Sequence, residues 1–231
     1  MSKPHRRCYL SVIVDSPVPH RIFLLSPANL GGERAALVFN PRADFALARQ
    51  VRSAEGAALG DLFAFVSGLY FRGKKLYAET FGRPPAGMEG GLVISPGEGL
   101  RFLHERITLA RLQVWATVEI DAGNQDFVAP LIDHAVALER AHGADTRFVL
   151  LGSVATDKYV GPLTRVFGDH LLFPPDFVGR GDMSRGAMML RAAREGNELA
   201  YAPVEGSARH GRRAPGISPA RAARRPRQRP P

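Results

Sequence analysis

The residue types best suited to binding chemistry gather in residues 179–185, GRGDMSR, between a short apolar run and a helix-like segment. Two glycines permit a tight turn there, and two arginines can donate paired hydrogen bonds to a phosphate, a carboxylate or a base edge. The segment therefore predicts an anion-binding edge. Its candidate binding residues are Arg180, Gly181, Ser184 and Arg185, beside Asp182. The alternative is an ordinary helix cap followed by solvated arginines.

Three serines follow apolar runs that are typical of strands. They are Ser26, Ser95 and Ser153, and each has glycine close by. A hydroxyl group there can donate to a phosphate or a carbonyl, glycine lets backbone N–H groups approach, and a following helix N-terminus favours an anion. Because ligands of open α/β sheets bind at the carboxyl ends of strands, we expect these serines near a ligand.

The richest of these strand ends is residues 150–159, LLGSVATDKY. Gly152, Ser153, Thr156 and Lys158 are the residues we expect to hold an anion, and Asp157 either caps the next helix or transfers a proton. The spacing is not that of a Walker A loop. The alternative is that Ser, Thr and Asp only cap the helix.

Three carboxylates are candidate catalytic groups: Asp182, Asp157 and Glu98, although a loop carboxylate such as Glu98 is often merely exposed. Tyr70 has basic neighbours in sequence and can stack a base, but an aromatic residue at this spacing is more often part of the core. The seven histidines show no metal-ligand spacing. We expect no metal and no cofactor.

The candidate residues must be positioned by alternating strands and helices. Strands are predicted at 9–14, 21–25, 35–39, 91–94 and 147–151, with a short one at 170–174 and a last one at 198–204. Helices are predicted at 42–52, 59–81, 126–143, 157–168 and 184–196, with Gly68 and Gly73 able to break the second. The pattern predicts an α/β fold with a mixed, mostly parallel sheet and helices on both faces. The first three strands lie too close for crossovers, so an antiparallel hairpin region is expected.

The net charge of +9 belongs almost entirely to the C-terminus. Residues 206–231 contain no acid and eight arginines, Arg209, Arg212, Arg213, Arg221, Arg224, Arg225, Arg227 and Arg229. Without those eight, 23 of the 31 Lys and Arg residues remain, against 22 acids. We therefore predict a single α/β domain at 1–205 and a disordered basic tail at 206–231. The tail either binds RNA or DNA electrostatically or only keeps the chain soluble.

Cysteine content and hydropathy suggest the compartment. Cys8 is the only cysteine, and no apolar run approaches the ~20 residues of a membrane span. We expect a cytoplasmic protein without a membrane partner.

Two segments carry a resemblance. Residues 66–79, VSGLYFRGKKLYAE, place Phe-Arg after a serine and then Tyr-Ala-Glu, and residues 91–107, GLVISPGEGLRFLHERI, form a strand ending in Ser before Gly-Leu. This order resembles small α/β domains associated with deazaguanine modification of nucleic acids and, more distantly, the peroxide-stress protein family of YaaA. The resemblance implies a connection with nucleotides, nucleobases or nucleic acids, and no particular reaction.

Two functions are consistent with these patterns. The first is binding of a nucleotide, a nucleobase or another phosphate-bearing ligand at the strand-end loops, with hydrolysis or glycosyl transfer as the reaction if the protein is an enzyme. The alternative is a non-catalytic nucleic-acid-binding or stress-associated protein that uses its basic tail.

Overall fold

The computed structural model describes residues 18–211. The strands are β1 (His20–Leu25), β2 (Ala57–Ala58), β3 (Gly91–Ser95), β4 (Gly99–Phe102), β5 (Arg106–Ile107), β6 (Thr146–Leu151), β7 (Leu171–Phe173) and β8 (Ala202–Pro203). The helices are α1 (Glu33–Phe39), α2 (Ala46–Arg52), α3 (Leu59–Ser67), α4 (Leu69–Phe81), α5 (Leu109–Ala116), α6 (Gln125–His142), α7 (Asp157–Phe167) and α8 (Asp182–Glu195).

Six of the strands form one sheet in the order β4-β3-β1-β6-β7-β8. The four central strands are parallel, while β4 and β8 pair antiparallel at the two edges. The strands β2 and β5 form a separate short ladder. The predicted mixed, mostly parallel sheet is confirmed.

Both faces of the sheet are covered because alternate residues of the central strands are apolar on each side. Phe23 and Leu25 of β1 pack with α1 to α5 and α8 on one face. Ile22 and Leu24 of the same strand pack with α6 and α7 on the other face. Successive side chains of a strand point to opposite faces, so a continuous apolar run requires a helical layer on each side.

The predicted helix at 59–81 is broken at Gly68, one of the two predicted breakpoints. Gly68 has φ +60°, which a residue with a side chain rarely adopts, and α3 ends there as α4 begins. The second predicted breakpoint, Gly73, lies inside α4. A Cβ atom at Gly73 would be only 2.7 Å from the carbonyl oxygen of Gly186 in α8, so this glycine permits close helix packing.

The strand predicted at 35–39 is wrong. These residues belong to α1, in which Ala35 and Val38 are buried and their neighbours are more exposed. A short apolar run does not distinguish a strand from a helix. Here the buried residues are three positions apart, which is the spacing of a helix. The expected antiparallel hairpin region is also wrong for 21–25 and 35–39, because β1 pairs parallel with both β3 and β6. The predicted strand at 9–14 lies outside the described residues.

Two contacts join the C-terminal end of the described residues to the sheet and to α7. The backbone N–H of Val204 donates to Leu171 O at 2.9 Å, and Arg209 pairs with Asp157 of α7. The predicted tail from residue 212 onward lies outside the described residues. Over 18–211, no helix is long and apolar enough to cross a membrane.

Candidate functional site

A crevice opens at the carboxyl ends of the neighbouring parallel strands β1 and β6. The chain leaves β1 toward α1 on one face of the sheet and leaves β6 toward α7 on the other. Connections that diverge in this way leave a gap between the strand ends, where ligands of open α/β sheets bind. A cavity of about 340 Å³ lies there, lined by Ser26, Pro27, Ala28, Asn29, Ser67, Tyr70, Ile120, Ser153, Lys158, Tyr159 and Asp182.

Ser26 is held at the wall of this cavity by the sheet itself. Its backbone N–H donates to Leu151 O at 3.3 Å, which continues the pairing of β1 with β6 by one residue. Its side chain packs against Gly152, where an added Cβ would be 3.0 Å from the Ser26 Cβ. Gly152 therefore lets the two strand ends lie side by side.

Lys74 of α4 is the least expected residue of the site. Its side chain is 0% exposed, and its ammonium or amine nitrogen donates to Ser26 O at 2.6 Å and lies 2.9 Å from Ser26 Oγ. The nitrogen also lies 4.2 Å from the centre of the Tyr70 ring. Lys74 therefore contacts the cavity wall through Ser26 and does not line the cavity itself.

Burial lowers the pKa of Lys74 to about 7. The negative charge of Asp182 raises this pKa and the positive charge of Arg185 lowers it, both by less than burial does. Among the ion pairs of the described residues, none pairs Lys74 with a carboxylate. A substantial fraction of Lys74 is therefore a neutral amine at neutral pH.

Two tyrosines form the aromatic part of the cavity. Tyr70 comes from α4 and Tyr159 from the first turn of α7, and both are buried. Burial raises the pKa of Tyr70 to about 12 and raises that of Tyr159 as well. Both side chains are therefore neutral phenols at physiological pH, and the Tyr70 hydroxyl has no partner with full hydrogen-bond geometry within 18–211.

Helix α8 contributes an acidic residue, Asp182, to the cavity wall and a basic residue, Arg185, near it. Asp182 begins the helix and lines the cavity with its carboxylate largely exposed. Arg185 is buried, donates from Nε to Phe177 O at 3.2 Å, and holds its guanidinium 3.8 Å from the Asp182 carboxylate. Arg185 therefore supports α8 behind the cavity.

The remaining residues predicted in 179–185 lie around this helix start. Gly181 is the N-cap of α8. The Ser184 hydroxyl is buried and has no hydrogen-bond partner within the described part of the chain. Arg180 donates from Nε to Asp176 O at 2.9 Å. None of these three lines the cavity.

The loop after β6 contributes two predicted residues directly. Ser153 and Lys158 both line the cavity, and the Lys158 nitrogen lies 5.1 Å from the centre of the Tyr159 ring. Thr156 is the N-cap of α7 without a side-chain cap bond. Asp157 points elsewhere, because its carboxylate accepts from Arg209 at 2.9 Å.

Two predicted residues after β3 lie in other surroundings. Ser95 donates to Gly99 O at 2.9 Å and accepts from the Glu98 N–H at 3.0 Å, so its hydroxyl group stabilises the turn into β4. Glu98 accepts three hydrogen bonds from Arg111 and one from Trp115, and the bonds from Arg111 are the main reason that its pKa is lowered. Neither side chain lines the cavity.

The structure thus brings together four of the predicted residues at the cavity wall, Ser26, Ser153, Lys158 and Asp182, with Gly152 and Arg185 directly behind them. Lys74, Tyr159, Ser67 and Asn29 were not predicted as site residues from the sequence. A signal for Lys74 existed, because it lies four residues after Tyr70 and three before Tyr77 on the apolar face of a helix. A charged residue in that position is rare without a specific partner.

Two searches bear on the identity of this site, one for a metal cluster among the described residues and one for similar proteins. In residues 18–211, no group of three or more His, Cys, Asp and Glu side chains is arranged to hold a metal ion. Comparison of the chain with protein-family models, with curated proteins and with solved structures found no match.

Proposed function

We propose that the cavity between β1 and β6 binds a nucleotide or a nucleobase-like small molecule. The observation that carries this proposal is the convergence of three serines, a lysine and two tyrosines on one cavity at the diverging strand ends. A volume of about 340 Å³ is at the small end of the range for small-molecule sites. It suits one base or nucleoside better than a long polymer.

The aromatic residues support a base-like ligand. Tyr70 and Tyr159 are neutral and present apolar ring surface. Stacking of a base on such a ring contributes about 1–3 kcal/mol and tolerates different bases. The Asp182 carboxylate can accept a hydrogen bond from a ribose hydroxyl or an exocyclic amine.

The basic and hydroxyl groups support an anionic group on that ligand. Lys158 is in the first turn of α7, where the helix dipole favours negative charge, and Ser153 lies just before it. A phosphate bound there meets one cation, one hydroxyl donor and a helix N-terminus. The segment 66–79, which carries the resemblance to nucleic-acid modification domains, supplies Ser67 and Tyr70 to the same cavity.

A thermal-shift screen of the full-length chain tests this proposal. The panel contains bases, nucleosides, nucleoside mono-, di- and triphosphates, and sugar phosphates. We expect at least one base-containing compound to raise the melting temperature, because a ligand at 100 times its dissociation constant stabilises the folded state by about 2.7 kcal/mol. A phosphorylated compound should lose most of its advantage over its nucleoside in Lys158→Gln.

Lys75→Met is the matched control for the lysine change. Lys75 pairs with Asp61 at 2.6 Å and does not line the cavity, so this variant should respond to ligands as the unchanged protein does. No response to any compound would reject the proposal. So would a response that is identical in Lys158→Gln and in the unchanged protein.

A second function is favoured by the path of the C-terminal segment. Arg209 donates to Asp157 at 2.9 Å, next to Lys158, and an added Cβ at Gly211 would be 2.8 Å from a Val178 methyl group. The described part of the chain therefore ends close to Val178, and seven arginines follow in the sequence. On this proposal the arginines bind the phosphates of RNA or DNA, with or without a base in the cavity. Removing residues 212–231 tests it.

A further inference from the structure

Ser26 and Lys74 have the arrangement of a nucleophile and its base. Ser26 lines the cavity, whereas Lys74 is fully buried and does not line it. The Lys74 nitrogen is 2.9 Å from Ser26 Oγ. The nitrogen is therefore within proton-transfer distance of a hydroxyl group that belongs to the cavity wall.

The hydrogen bonds around Lys74 fit a neutral amine. The Lys74 nitrogen donates to Ser26 O at 2.6 Å and to Ser26 Oγ at 2.9 Å, and the two N–H groups of a neutral amine are enough for both bonds. The Ser26 hydroxyl donates to Leu151 O at 3.4 Å, a long bond, and its proton can turn from that carbonyl to the lone pair of the amine. The described residues give its nitrogen no carboxylate partner, so charge pairing does not explain why a lysine is buried here.

We propose that Ser26 is a nucleophile and Lys74 its general base, and that together they hydrolyse an ester-linked acyl group of a small molecule bound in the cavity. Which molecule carries the acyl group rests on the proposed function, whereas the roles of Ser26 and Lys74 do not. Ser26 Oγ attacks the carbonyl carbon and forms a C–Oγ bond as its proton passes to the Lys74 nitrogen. The bond from that carbon to the alcohol oxygen then breaks, and the nitrogen returns the proton to the alcohol.

Water completes the cycle on the acyl-serine. A water molecule attacks the same carbonyl carbon and gives a proton to the Lys74 nitrogen. The C–Oγ bond breaks, the acid leaves, and Ser26 Oγ takes the proton back. The net reaction consumes one ester and one water and yields one acid and one alcohol, with no oxidant or reductant.

The pH dependence of this pair is set by the groups that face the Lys74 nitrogen. The rings of Tyr70 and Phe71 lie over it at 4.2 and 4.9 Å, and α8 presents the charges of Asp182 and Arg185. These two charges have opposite effects, so burial determines the titration near pH 7. The fraction of neutral amine then rises about tenfold between pH 6 and pH 8.

Covalent labelling of the full-length protein with an alkyl fluorophosphonate tests the proposal. In this reaction an Oγ–P bond forms, fluoride leaves the phosphorus, and the serine proton goes to Lys74. Peptide mass spectrometry should find the adduct on Ser26, and the labelling rate should rise about tenfold from pH 6 to pH 8. No adduct on Ser26, or a rate that is flat over that range, would overturn the proposal.

Variants separate the base from the nucleophile. Ser26→Ala should give no adduct at this site, and Lys74→Met should slow labelling by a factor of about 100 or more, on the order of a general-base contribution. Ser53→Ala and Lys75→Met are the controls and should label at the unchanged rate, because Ser53 donates to Gln50 O and Lys75 pairs with Asp61. Equal rates in Lys74→Met and the unchanged protein would overturn the role of Lys74.

The labelling result and the ligand screen fail independently. An adduct on Ser26 without any nucleotide response retains the nucleophile and rejects the proposed ligand. A nucleotide response without an adduct retains the ligand and rejects the nucleophile. If Lys74→Met does not fold, the pH profile of the unchanged protein decides the role of the base.

Discussion

Lys74 is a buried lysine on the apolar face of α4 that contacts Ser26 at the wall of the candidate site. Lys74 lies between the rings of Tyr70 and Phe71 and reaches the end of β1. Burial of an amine removes its hydration, which disfavours the charged form and lowers its pKa. This cost has no structural compensation in a charged partner, which is typical of functional sites.

The first residue-scale prediction is a rise in stability with pH that Lys74 causes. Between pH 7 and its ordinary pKa of 10.5, Lys74 is protonated in the unfolded chain and largely neutral in the folded one. The unfolded state therefore binds more protons, so raising the pH stabilises the folded state by about 1.4 kcal/mol per pH unit from this group alone. Lys74→Met should lose this slope in urea unfolding measured from about pH 7.5 to 9.5, within the window that the two pKa values define.

Lys75→Met provides the comparison for that measurement. It removes the next lysine, which keeps its carboxylate partner Asp61, and should leave the slope unchanged. Tyr70 opposes this slope only from about its unfolded pKa of 10.0 upward, at the upper edge of the range, and it is present in all three proteins compared. Equal slopes in Lys74→Met and the unchanged protein would show that Lys74 is charged in the folded state.

Site residues that directly follow a strand can be predicted from the sequence, because strand ends are recognisable there. Ser26 and Ser153 were predicted because each follows an apolar run typical of a strand. In the structure the two strands are parallel neighbours, so both serines lie at the same edge of the sheet. Ser95 was predicted on the same grounds, but the chain turns back at once into β4 and its hydroxyl group is used in that turn. Lys74 was missed because its position depends on how α4 is rotated, which is decided by packing against α8.

At the element scale, the crossing of α4 and α8 holds the cavity together. A Cβ at Gly186 would be 2.8 Å from the Tyr70 Cα, and a Cβ at Gly73 would be similarly close to Gly186. Two glycines at the crossing let the helix axes approach, because a close-packed interior leaves no room there for a side chain. This approach brings Asp182 and Arg185 of α8 beside Lys74.

We predict that Gly186→Ala separates these helices. The new methyl group meets backbone atoms, so α8 must shift, at a cost of about 1–3 kcal/mol in the free energy of unfolding. Ligand binding at the cavity should weaken in the same variant, because Asp182 moves with the helix. Chemical denaturation and ligand titration measure the two effects.

Gly181→Ala is the control on the same helix. A Cβ there meets nothing within 4 Å and φ is −81°, so only the N-cap preference changes, by about 1 kcal/mol or less. Equal losses in the two variants would contradict the account of the crossing.

Element identity was predictable where a pattern was long. Helices α6 and α7 are found within two residues of the predicted ranges because their apolar spacing extends over several turns. Residues 35–39 were predicted as a strand because so short a segment contains too few repeats to distinguish the two periods. The short helix α5 was missed for a similar reason.

At the scale of the whole molecule, the excess of positive charge lies in the C-terminal segment and not in the rest of the chain. Residues 206–231 contain eight arginines and no acid, while the remainder of the chain is nearly neutral. Arg209 connects the two by its ion pair with Asp157 at the start of α7. Most of the net positive charge of the chain therefore belongs to its C-terminal segment and not to residues 18–205.

Deletion of residues 212–231 should separate polymer binding from small-ligand binding. Seven arginines are removed, so affinity for a short single-stranded oligonucleotide should fall. Its dependence on salt should also become weaker, by about 0.7 in the slope of log K against log salt for each phosphate group that the shortened chain no longer neutralises. The response to small nucleotides should remain. An unchanged oligonucleotide affinity and slope would contradict the second proposed function.

Hydrogen exchange of the full-length chain, with and without each nucleotide of the screen, tests the central claim most directly. A ligand in the cavity should slow amide exchange in residues 26–32 and 152–160, which border the ends of β1 and β6, and leave the β3–β4 turn around Glu98 unchanged. Protection confined to another part of the chain, or no protection by any nucleotide, would contradict the assignment of this cavity as the ligand site.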